Sequence, residues 1–427
     1  MSKARKYAWT LGSQLPTLDA HSEAKHAVFR AYLREYVRRL TCSMVQDRFR
    51  LSIIDGFCGG GRYLDTTGCS VAGSPLIFLE EASALEASLQ SERRKSFALN
   101  VDFTFVDEAV PHCQFLRSEI RNSPYSDMLK DNIQIIPSSF EDIADNIISS
   151  LQRRRGKRRA LFFLDQYGYS DVSMSLLRKI MNGVEGAEII LTFAVDALIN
   201  YISDSDNFAK AVFPLELTAS QISELKRIWE GSEEGARAVV QNALFQHVAR
   251  ASGAPYSSPF FVRSKTSKRA YWLVHLSKHH TARDVMGEIH WSYGNASYHH
   301  GREGLLALGF DGAFSEPSLP FDFEADARDR SLQRTSREAP DLIYAMAQAG
   351  GGAVSFEEFF ARLCSFTPVT KAMLGEVVAS LREAGDIKIV GQRGSERSRT
   401  KKIDWTDQLM KPDKPTLFSM WNPLLRQ

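Results

Sequence analysis

The sequence predicts a doubly wound α/β domain that is followed by a small C-terminal domain of helices and strands. Three observations support this prediction. Short apolar runs alternate with segments of helical periodicity through the first half of the chain, which is typical of a parallel sheet covered by helices. A glycine-rich loop follows the first of these runs, and the composition becomes charged and polar after residue 310.

The alternation can be followed element by element. Apolar residues at helical spacing from Phe29 to Leu40 predict a helix ahead of the first strand, and Gly73-Ser74-Pro75 predicts the start of another helix. The predicted strands are Leu51–Ile54, Asp102–Val106, Ile133–Ile136, Ala160–Leu164 and Glu188–Phe193. The helices predicted between them are His112–Arg121, Phe140–Arg153 and Ser173–Met181.

The remaining sequence predicts the domain boundaries. Residues about 204–256 have helix-forming composition and are interpreted as a helical insertion, after which Phe260–Arg263 and Arg269–Ser277 predict an antiparallel hairpin that completes the sheet. The first domain is therefore expected to span 1–310, with a linker at 311–339. Residues 340–427 predict a winged helix-turn-helix, with three helices, a strand at Asp386–Val390, a basic loop and a strand at Lys401–Trp405.

Composition limits the classes of function. The chain has 427 residues, 44% of them apolar, and a formal net charge of +2. This length is typical of about two or three domains. Since the protein is not basic overall, any contact with nucleic acid must come from local patches.

Cysteine usage and apolar runs predict a reduced, cytoplasmic protein. The five cysteines include no C-x-x-C pair and no Cys/His spacing suited to zinc, so that no metal site is expected. The N-terminus lacks the apolar core of a signal peptide. No uncharged apolar stretch is long enough for a membrane span.

The loop after the first strand is the candidate cofactor site. Asp55, Phe57, Gly59 and Gly61 have the spacing D-x-F-x-G-x-G, and the glycines allow the backbone to approach a ligand closely. Asp107 ends the next strand, where a carboxylate can accept ribose hydroxyls of a nucleoside cofactor. A tight turn and a solvated strand-end acid are the simpler interpretations of these residues.

A serine after the third strand has two interpretations. Ser138 or Ser139 can contact an adenine ring of the cofactor, or it can cap the following helix. Glu141 and Asp142 in the first helical turn favour the cap.

The turn after the fourth strand is the candidate catalytic site. It reads Asp165-Gln166-Tyr167-Gly168-Tyr169, which is similar to the D-P-P-Y turn of enzymes that methylate exocyclic amines. In such a turn a carboxylate and a main-chain carbonyl accept the amine hydrogens, and an aromatic ring stacks on the base. Here Gln166 supplies the carbonyl, and Tyr167 or Tyr169 supplies the ring. A simple strand-end cap is the alternative for Asp165.

Basic residues on the predicted wing are candidates for binding DNA or RNA. The wing is where winged helices commonly contact backbone phosphates, although many winged helices bind proteins instead. The candidate residues are Arg393, Arg397, Arg399, Lys401 and Lys402.

Several of these motifs together resemble the three-Cys-motif partner protein (TcmP) family. The matching residues are Lys25-His26, Ile54–Tyr63, Gly73-Ser74-Pro75-Leu76 and Phe163–Gly168. The resemblance implies a Rossmann-like fold of the class I methyltransferase type, S-adenosyl-L-methionine as cofactor, and a partner protein that carries a three-cysteine motif. The motif order is also similar to that of ribosomal RNA adenine-N6 methyltransferases. Cys58, Gly60, Gln166 and Tyr167 depart from the usual family residues.

The sequence therefore predicts a methyltransferase that uses S-adenosyl-L-methionine and acts on an exocyclic amine of a nucleic-acid base. One alternative is a catalytically silent protein of the same fold, which binds nucleic acid or serves as a scaffold for the three-cysteine partner, with a role in mobile-element defence. Another is phosphodiester cleavage by a divalent metal bound to Asp55, Asp107 and Asp165.

Overall fold

A computed structural model describes residues 7–154, 156, 158–203, 205–231, 236–263, 270–292, 297–299, 321–322, 325–392, 394–397 and 402–412. The chain divides into two units, residues 1–297 and 298–427. This division falls earlier than the boundary at residue 310 that composition predicts.

The first unit is a mixed α/β structure around a mostly parallel sheet. Its strands are β1 (Arg48–Asp55), β2 (Arg62–Leu64), β3 (Ser70–Ala72), β4 (Ala98–Asp107), β5 (Ile133–Pro137), β6 (Arg159–Leu164), β7 (Gly186–Phe193), β8 (Tyr256–Arg263) and β9 (Ala270–Ser277). Seven of them form the main sheet in the order β8-β9-β7-β6-β1-β4-β5. The strands from β7 to β5 are parallel, and β9 is antiparallel to both of its neighbours. The predicted α/β class and the terminal hairpin are confirmed.

Helices connect these strands. They are α1 (Ala20–Leu40), α2 (Ser74–Ser91), α3 (Val110–Arg121), α4 (Met128–Asp131), α5 (Phe140–Arg153), α6 (Met174–Gly183), α7 (Val195–Asn200), α8 (Asp206–Val212), α9 (Ala219–Gly231), α10 (Ala236–Ala251) and α11 (His280–Ser292), with a 3-10 turn at Phe213–Leu215. The predicted insertion at 204–256 covers α8 to α10. Within the part of the chain that the structure describes, no helix has the length and apolarity to cross a membrane.

The strand order reverses within the sheet. From β1, the chain adds β4 and β5 on one side and then β6 and β7 on the other, so that the order reverses between β1 and β6. In open α/β sheets, ligands bind beyond the carboxyl ends of the strands at such a reversal. Both strands at this point are almost entirely buried, which their continuous apolar runs predict.

The antiparallel hairpin of β2 and β3 was not predicted from the sequence. Each strand has only three residues, too few for a recognisable alternation of apolar and polar side chains. Residues ahead of α1 join this hairpin, since Leu18 N donates to Leu64 O and Leu64 N donates to Pro16 O. The N-terminal segment is thereby fixed beside the glycine-rich loop.

The second unit contains helices and short strands. They are β10 (Ser297–His299, whose first residue belongs to the first unit), β11 (Phe321–Asp322), α12 (Ala325–Ala349), β12 (Ala353–Ser355), α13 (Phe356–Leu363), α14 (Lys371–Ala384), β13 (Lys388–Val390) and β14 (Gln408–Met410), with a 3-10 turn at Cys364–Phe366. β10 and β11 pair antiparallel, and β12, β14 and β13 form an antiparallel sheet in that order.

Two expectations for this unit are wrong in detail. Residues 325–339, predicted as linker, are helical, because most of them are good helix formers (Ala, Arg, Leu, Gln and Glu) and Arg334 pairs with Glu338 at i,i+4. The described part of Lys401–Trp405 is not a strand. Asp407 N donates to Asp404 O and Asp407 Oδ2 accepts from Asp404 N, which forms a turn that delays the strand until Gln408.

Candidate functional site

Three carboxylates stand at the carboxyl edge of the sheet around the point where the strand order reverses. Asp55 ends β1, and it pairs in register with Phe105 on β4 and with Phe163 on β6. Asp107 and Asp165 lie two residues beyond these partners on their respective chains. The sequence prediction that all three acids lie at one edge therefore agrees with the strand register.

Asp55 is buried and holds the loop that follows it. Its Oδ1 accepts from Phe57 N at 3.1 Å, and its Oδ2 accepts from Ser74 Oγ at 2.6 Å. Burial raises the pKa of Asp55 to about 7, against the effect of these two hydrogen bonds and with a further increase from the charges of Asp165 and Asp107. The G-S-P segment thus supports the site through the hydroxyl of Ser74.

The glycines of the loop make room for Trp9. Gly59 and Gly61 have positive φ angles of 58° and 80°, which favour glycine. A Cβ on Gly59 would lie 2.8 Å from the Trp9 ring, and a Cβ on Gly60 would overlap the ring. Trp9 is buried and donates from Nε1 to Arg62 O at 2.6 Å. A side chain of the protein itself thus fills part of the space beside Gly59 and Gly60, which the sequence does not predict.

Asp107 connects the loop to the start of α3. Its Oδ2 accepts from Gly59 N at 3.3 Å, whereas its Oδ1 accepts from Ala109 N at 2.7 Å and lies 3.0 Å from Nδ1 of His112. The carboxylate is thus held against the glycine-rich loop by backbone and side-chain contacts. The ring of Trp9 also contacts His112 edge-on, with centroids 4.9 Å apart.

Asp165 is paired with a lysine from the first helix. Lys25 Nζ donates to Asp165 Oδ1 at 2.6 Å and to Oδ2 at 2.7 Å. Although burial would raise the pKa of Asp165, the charge and hydrogen bonds of Lys25 hold it below its ordinary value, so that the carboxylate is ionised at neutral pH. The side chain of Lys25 is 11% exposed and that of Asp165 is 22% exposed, so the pair is partly open to solvent.

Helix packing explains how two residues so distant in sequence meet. The ring of Phe29 in α1 packs against that of Phe163 in β6, with centroids 5.0 Å apart. Lys25 lies one turn before Phe29 on the same helix face, and Asp165 lies two residues after Phe163. The packing of Phe29 in α1 against Phe163 in β6 therefore brings Lys25 close to Asp165.

His26 is a buried neighbour of this pair. Burial lowers its pKa to about 4, and the charges of Lys25 and Arg30 lower it further against the opposing effect of Asp165. The imidazole is therefore neutral at pH 7, and its Nδ1 has no hydrogen-bond partner among the described residues. The sequence gives no role to Lys25 or His26, although both belong to the motif that carries the family resemblance.

The residues after Asp165 have different environments. Gln166 is buried, and its Oε1 accepts from Asp171 N at 2.9 Å and Val172 N at 3.1 Å, so that its side chain stabilises the turn itself. Tyr167 is 56% exposed and available for stacking. Tyr169 is half-buried and packs against Phe193, with centroids 6.2 Å apart.

Two other predicted cofactor residues have identifiable structural roles. Ser139 caps α5, since its Oγ accepts from Asp142 N at 3.1 Å and donates to Asp142 Oδ2 at 2.6 Å. The cap that the sequence favours is therefore present. Phe57 is half-buried, with its ring centroid 6.4 Å from that of Phe140.

The predicted nucleic-acid residues are only partly described. Arg393, Arg399 and Lys401 lie outside the described residues. Arg397 lies 2.8 Å from both Asp404 Oδ2 and Asp407 Oδ1, and it donates to Lys402 O, so that acids of the same unit offset its charge. Lys402 is exposed.

Among the described side chains, no group of three or more His, Cys, Asp or Glu is arranged to hold a metal ion. Asp55, Asp107 and Asp165 thus do not form such a group. Their carboxylates are instead directed to Ser74, the glycine-rich loop and Lys25, as described above.

Comparison with known proteins finds structural similarity but no match at the level of sequence. No protein-family model and no curated protein matches the sequence. A solved structure of geranyl diphosphate methyltransferase in complex with GPP and sinefungin aligns with 62% of this chain and 88% of its own, at 8% identity and a TM-score of 0.21. A similarity at this level carries no argument about function.

Proposed function

We propose that this protein is an S-adenosyl-L-methionine-dependent methyltransferase that acts on an exocyclic amine of a nucleic-acid base, such as adenine N6. The observation that carries the proposal is the group of three carboxylates at the reversal of strand order, with Asp107 bonded to Gly59 N–H on one side of Asp55 and the ionised Asp165 on the other. This is the position where open α/β sheets bind ligands.

The residues present fit a cationic nucleoside cofactor. Burial is the main cause of the raised pKa of Asp55, but the negative charges of Asp165 and Asp107 also contribute to it, and the same charges would favour a cation at this edge of the sheet. When bound there, S-adenosyl-L-methionine supplies an electrophilic methyl group on a positively charged sulfur. Asp107 would accept ribose hydroxyls, and Phe57, Gly59, Gly61 and Ser139 would lie along the cofactor.

The proposed role of Asp165 is to orient the amine. Its carboxylate and the main-chain carbonyl of Gln166 would accept the amine hydrogens, so that the nitrogen lone pair is directed at the methyl carbon. Because Lys25 holds the pKa of Asp165 low, Asp165 is a weak base, and the proton released from the nitrogen would pass to solvent. Tyr167 would stack on the base, and Tyr169 would line the site.

The second unit would bind the nucleic acid as a winged helix-turn-helix. Support comes from the element order α12-β12-α13-α14-β13-β14, in which the three strands form one sheet and a basic loop lies between β13 and β14. The exposed residues of α14 are Ala372, Glu376, Ser380, Glu383 and Ala384. Because this face carries two acids, we propose that the phosphates are contacted by the loop, including Lys402, rather than by α14.

Two observations favour a second candidate, a catalytically silent binding or scaffold protein that works with a three-cysteine-motif partner. Lys25 already occupies both oxygens of Asp165, and Trp9 already fills the space beside Gly59 and Gly60. Either contact would have to change, or be shared, when cofactor and substrate bind.

Mass spectrometry of nucleosides distinguishes the two candidates. DNA and RNA would be digested from cells that produce the wild type, Asp165→Asn, or the control Asp145→Asn, whose exposed acid pairs with Lys179 away from the site. The enzyme hypothesis predicts a methylated base with the wild type and the control that is absent with Asp165→Asn. Identical base composition in all three samples would support the silent protein.

A further inference from the structure

The ion pair between Lys25 and Asp165 leaves hydrogen-bonding capacity on both partners. An ammonium group has three N–H donors, and Lys25 directs two of them to Asp165. Within the described residues, Lys25 Nζ has no further acceptor for the third. Each carboxylate oxygen of Asp165 has two lone pairs. Lys25 donates one hydrogen bond to each oxygen, so each oxygen keeps a lone pair that Lys25 does not use. The pair therefore presents a donor and an acceptor side by side.

The side chains of the pair are partly exposed. The side chain of Asp165 is 22% exposed and that of Lys25 is 11% exposed, although both lie among buried residues. Their neighbour His26 is neutral at pH 7 because burial lowers its pKa to about 4. A polar ligand edge that reaches the pair would thus meet one anionic acceptor and one cationic donor within a mostly dehydrated surface, where such bonds discriminate strongly.

We propose that Lys25 is a specificity-determining residue. It recognises the substrate by donating a hydrogen bond to the ring nitrogen that lies next to the amine bound by Asp165. The inference rests on the proposed function. Asp165 accepts an N–H of the amine while Lys25 donates its third N–H to the adjacent ring nitrogen. The substrate class is therefore an aminated heterocycle whose amine lies beside an unprotonated ring nitrogen, as in adenine (N6 and N1) or cytosine (N4 and N3).

The geometry also explains why a lysine is suited to this place. Arginine would engage the carboxylate with two of its five N–H donors in a rigid planar fork, which fixes the directions of the other three, whereas an ammonium on a flexible stem can turn its third donor toward a ligand. If the ring nitrogen next to the amine were protonated, its N–H donor would lie opposite the ammonium donor of Lys25, and such a base would be rejected.

The proposal is tested by removing the ring nitrogen and the lysine in turn. Methyl transfer from radiolabelled S-adenosyl-L-methionine would be measured on two pools of single-stranded oligonucleotides, DNA and RNA, that contain adenine or 1-deazaadenine. A parallel pair of pools would contain cytosine or 3-deazacytosine. For the base that is methylated, the wild type should lose about 10- to 100-fold in kcat/KM with the deaza analogue. Lys25→Met should show nearly equal kcat/KM for both.

Two further variants separate recognition from folding. Lys179→Met removes a similar but exposed lysine–aspartate pair and should keep the full discrimination. Lys25→Arg keeps N–H donors and should retain part of the discrimination. If the wild type methylates a base and its deaza analogue equally, the inference is overturned even if Lys25→Met does not fold. Undiminished discrimination by folded Lys25→Met also overturns it. No transfer to any pool would overturn the proposed function itself, and the inference with it.

Discussion

Gly60 faces the indole ring of Trp9 so closely that any side chain at position 60 would overlap it. The two residues are far apart in the sequence, and Trp9 is held in place by its hydrogen bond to Arg62 O. The glycine-rich loop and the N-terminal segment therefore form one packed unit. This relationship gives the glycine a role in packing that is independent of any cofactor.

Replacement of Gly60 should destabilise the protein only while Trp9 is present. Gly60→Ala is expected to lower the free energy of unfolding by about 1–3 kcal/mol through overpacking, and Trp9→Ala by about 3–5 kcal/mol through the cavity. In the Trp9→Ala background, Gly60→Ala should cost much less, which urea denaturation can measure. Gly375→Ala is the control, because its Cβ would lie 3.9 Å from its nearest neighbour. Additive costs would contradict the contact.

Loss of Lys25 should leave a buried charge without its partner. Lys25→Met is expected to lower the free energy of unfolding by about 3 kcal/mol, since Asp165 would remain ionised and mostly buried. In an Asp165→Leu background the same substitution should cost far less. Lys179→Met, which breaks an exposed pair, should cost less than about 1 kcal/mol. Equal costs for the two lysines would show that the buried pair is not formed.

Asp55 should make the protein less stable as pH rises from about 4 to 7. Burial raises its pKa from the ordinary 3.8 to about 7, so that in this window the folded state keeps a proton that the unfolded state has released. The free energy of unfolding thus falls by about 1.4 kcal/mol per pH unit from this group. Urea denaturation of Asp55→Asn across this range should show the variant gaining stability relative to the wild type. A constant difference would refute the buried, protonated acid.

His26 should make the protein more stable as pH rises from about 4 to 6.5. Its pKa falls from the ordinary 6.5 to about 4 on burial, so that between these values the unfolded state binds a proton that the folded state does not. Its stabilising contribution is complete above pH 6.5 and is lost as pH falls toward 4. His26→Gln should therefore lose stability relative to the wild type as pH rises. Since Asp55 and His26 have opposite slopes, their contributions in the wild type should largely cancel between pH 4 and 6.5.

The sequence predicts the strands and the strand-end acids well, because both depend on local pattern. β1 and β6 are continuous apolar runs, and each is followed closely by an acid and a turn. The contacts of Lys25 with Asp165 and of Trp9 with Gly60 are not predictable in this way. These contacts form only when α1 and the N-terminal segment pack against the sheet. No spacing of residue types in the sequence indicates which side chains come into contact in this way.

The sequence also does not predict which contacts a candidate site residue makes in the folded protein. Gln166 appears in the catalytic turn by position, yet its side chain bonds to the turn's own backbone. Arg397 has the charge expected of a phosphate contact, yet Asp404 and Asp407 surround it. In both cases the residue type fits several environments, and only the tertiary structure selects one.

Cofactor binding is the most direct test of the site between Gly59 and Asp107. Isothermal titration calorimetry with S-adenosyl-L-methionine and S-adenosylhomocysteine would compare the wild type, Asp107→Ala and the control Asp102→Ala, whose exposed acid lies on the same strand. We expect a Kd on the order of micromolar for the wild type and the control, and no measurable binding for Asp107→Ala. Absence of binding heat with the folded wild type, or undiminished affinity in Asp107→Ala, would contradict the proposed cofactor site.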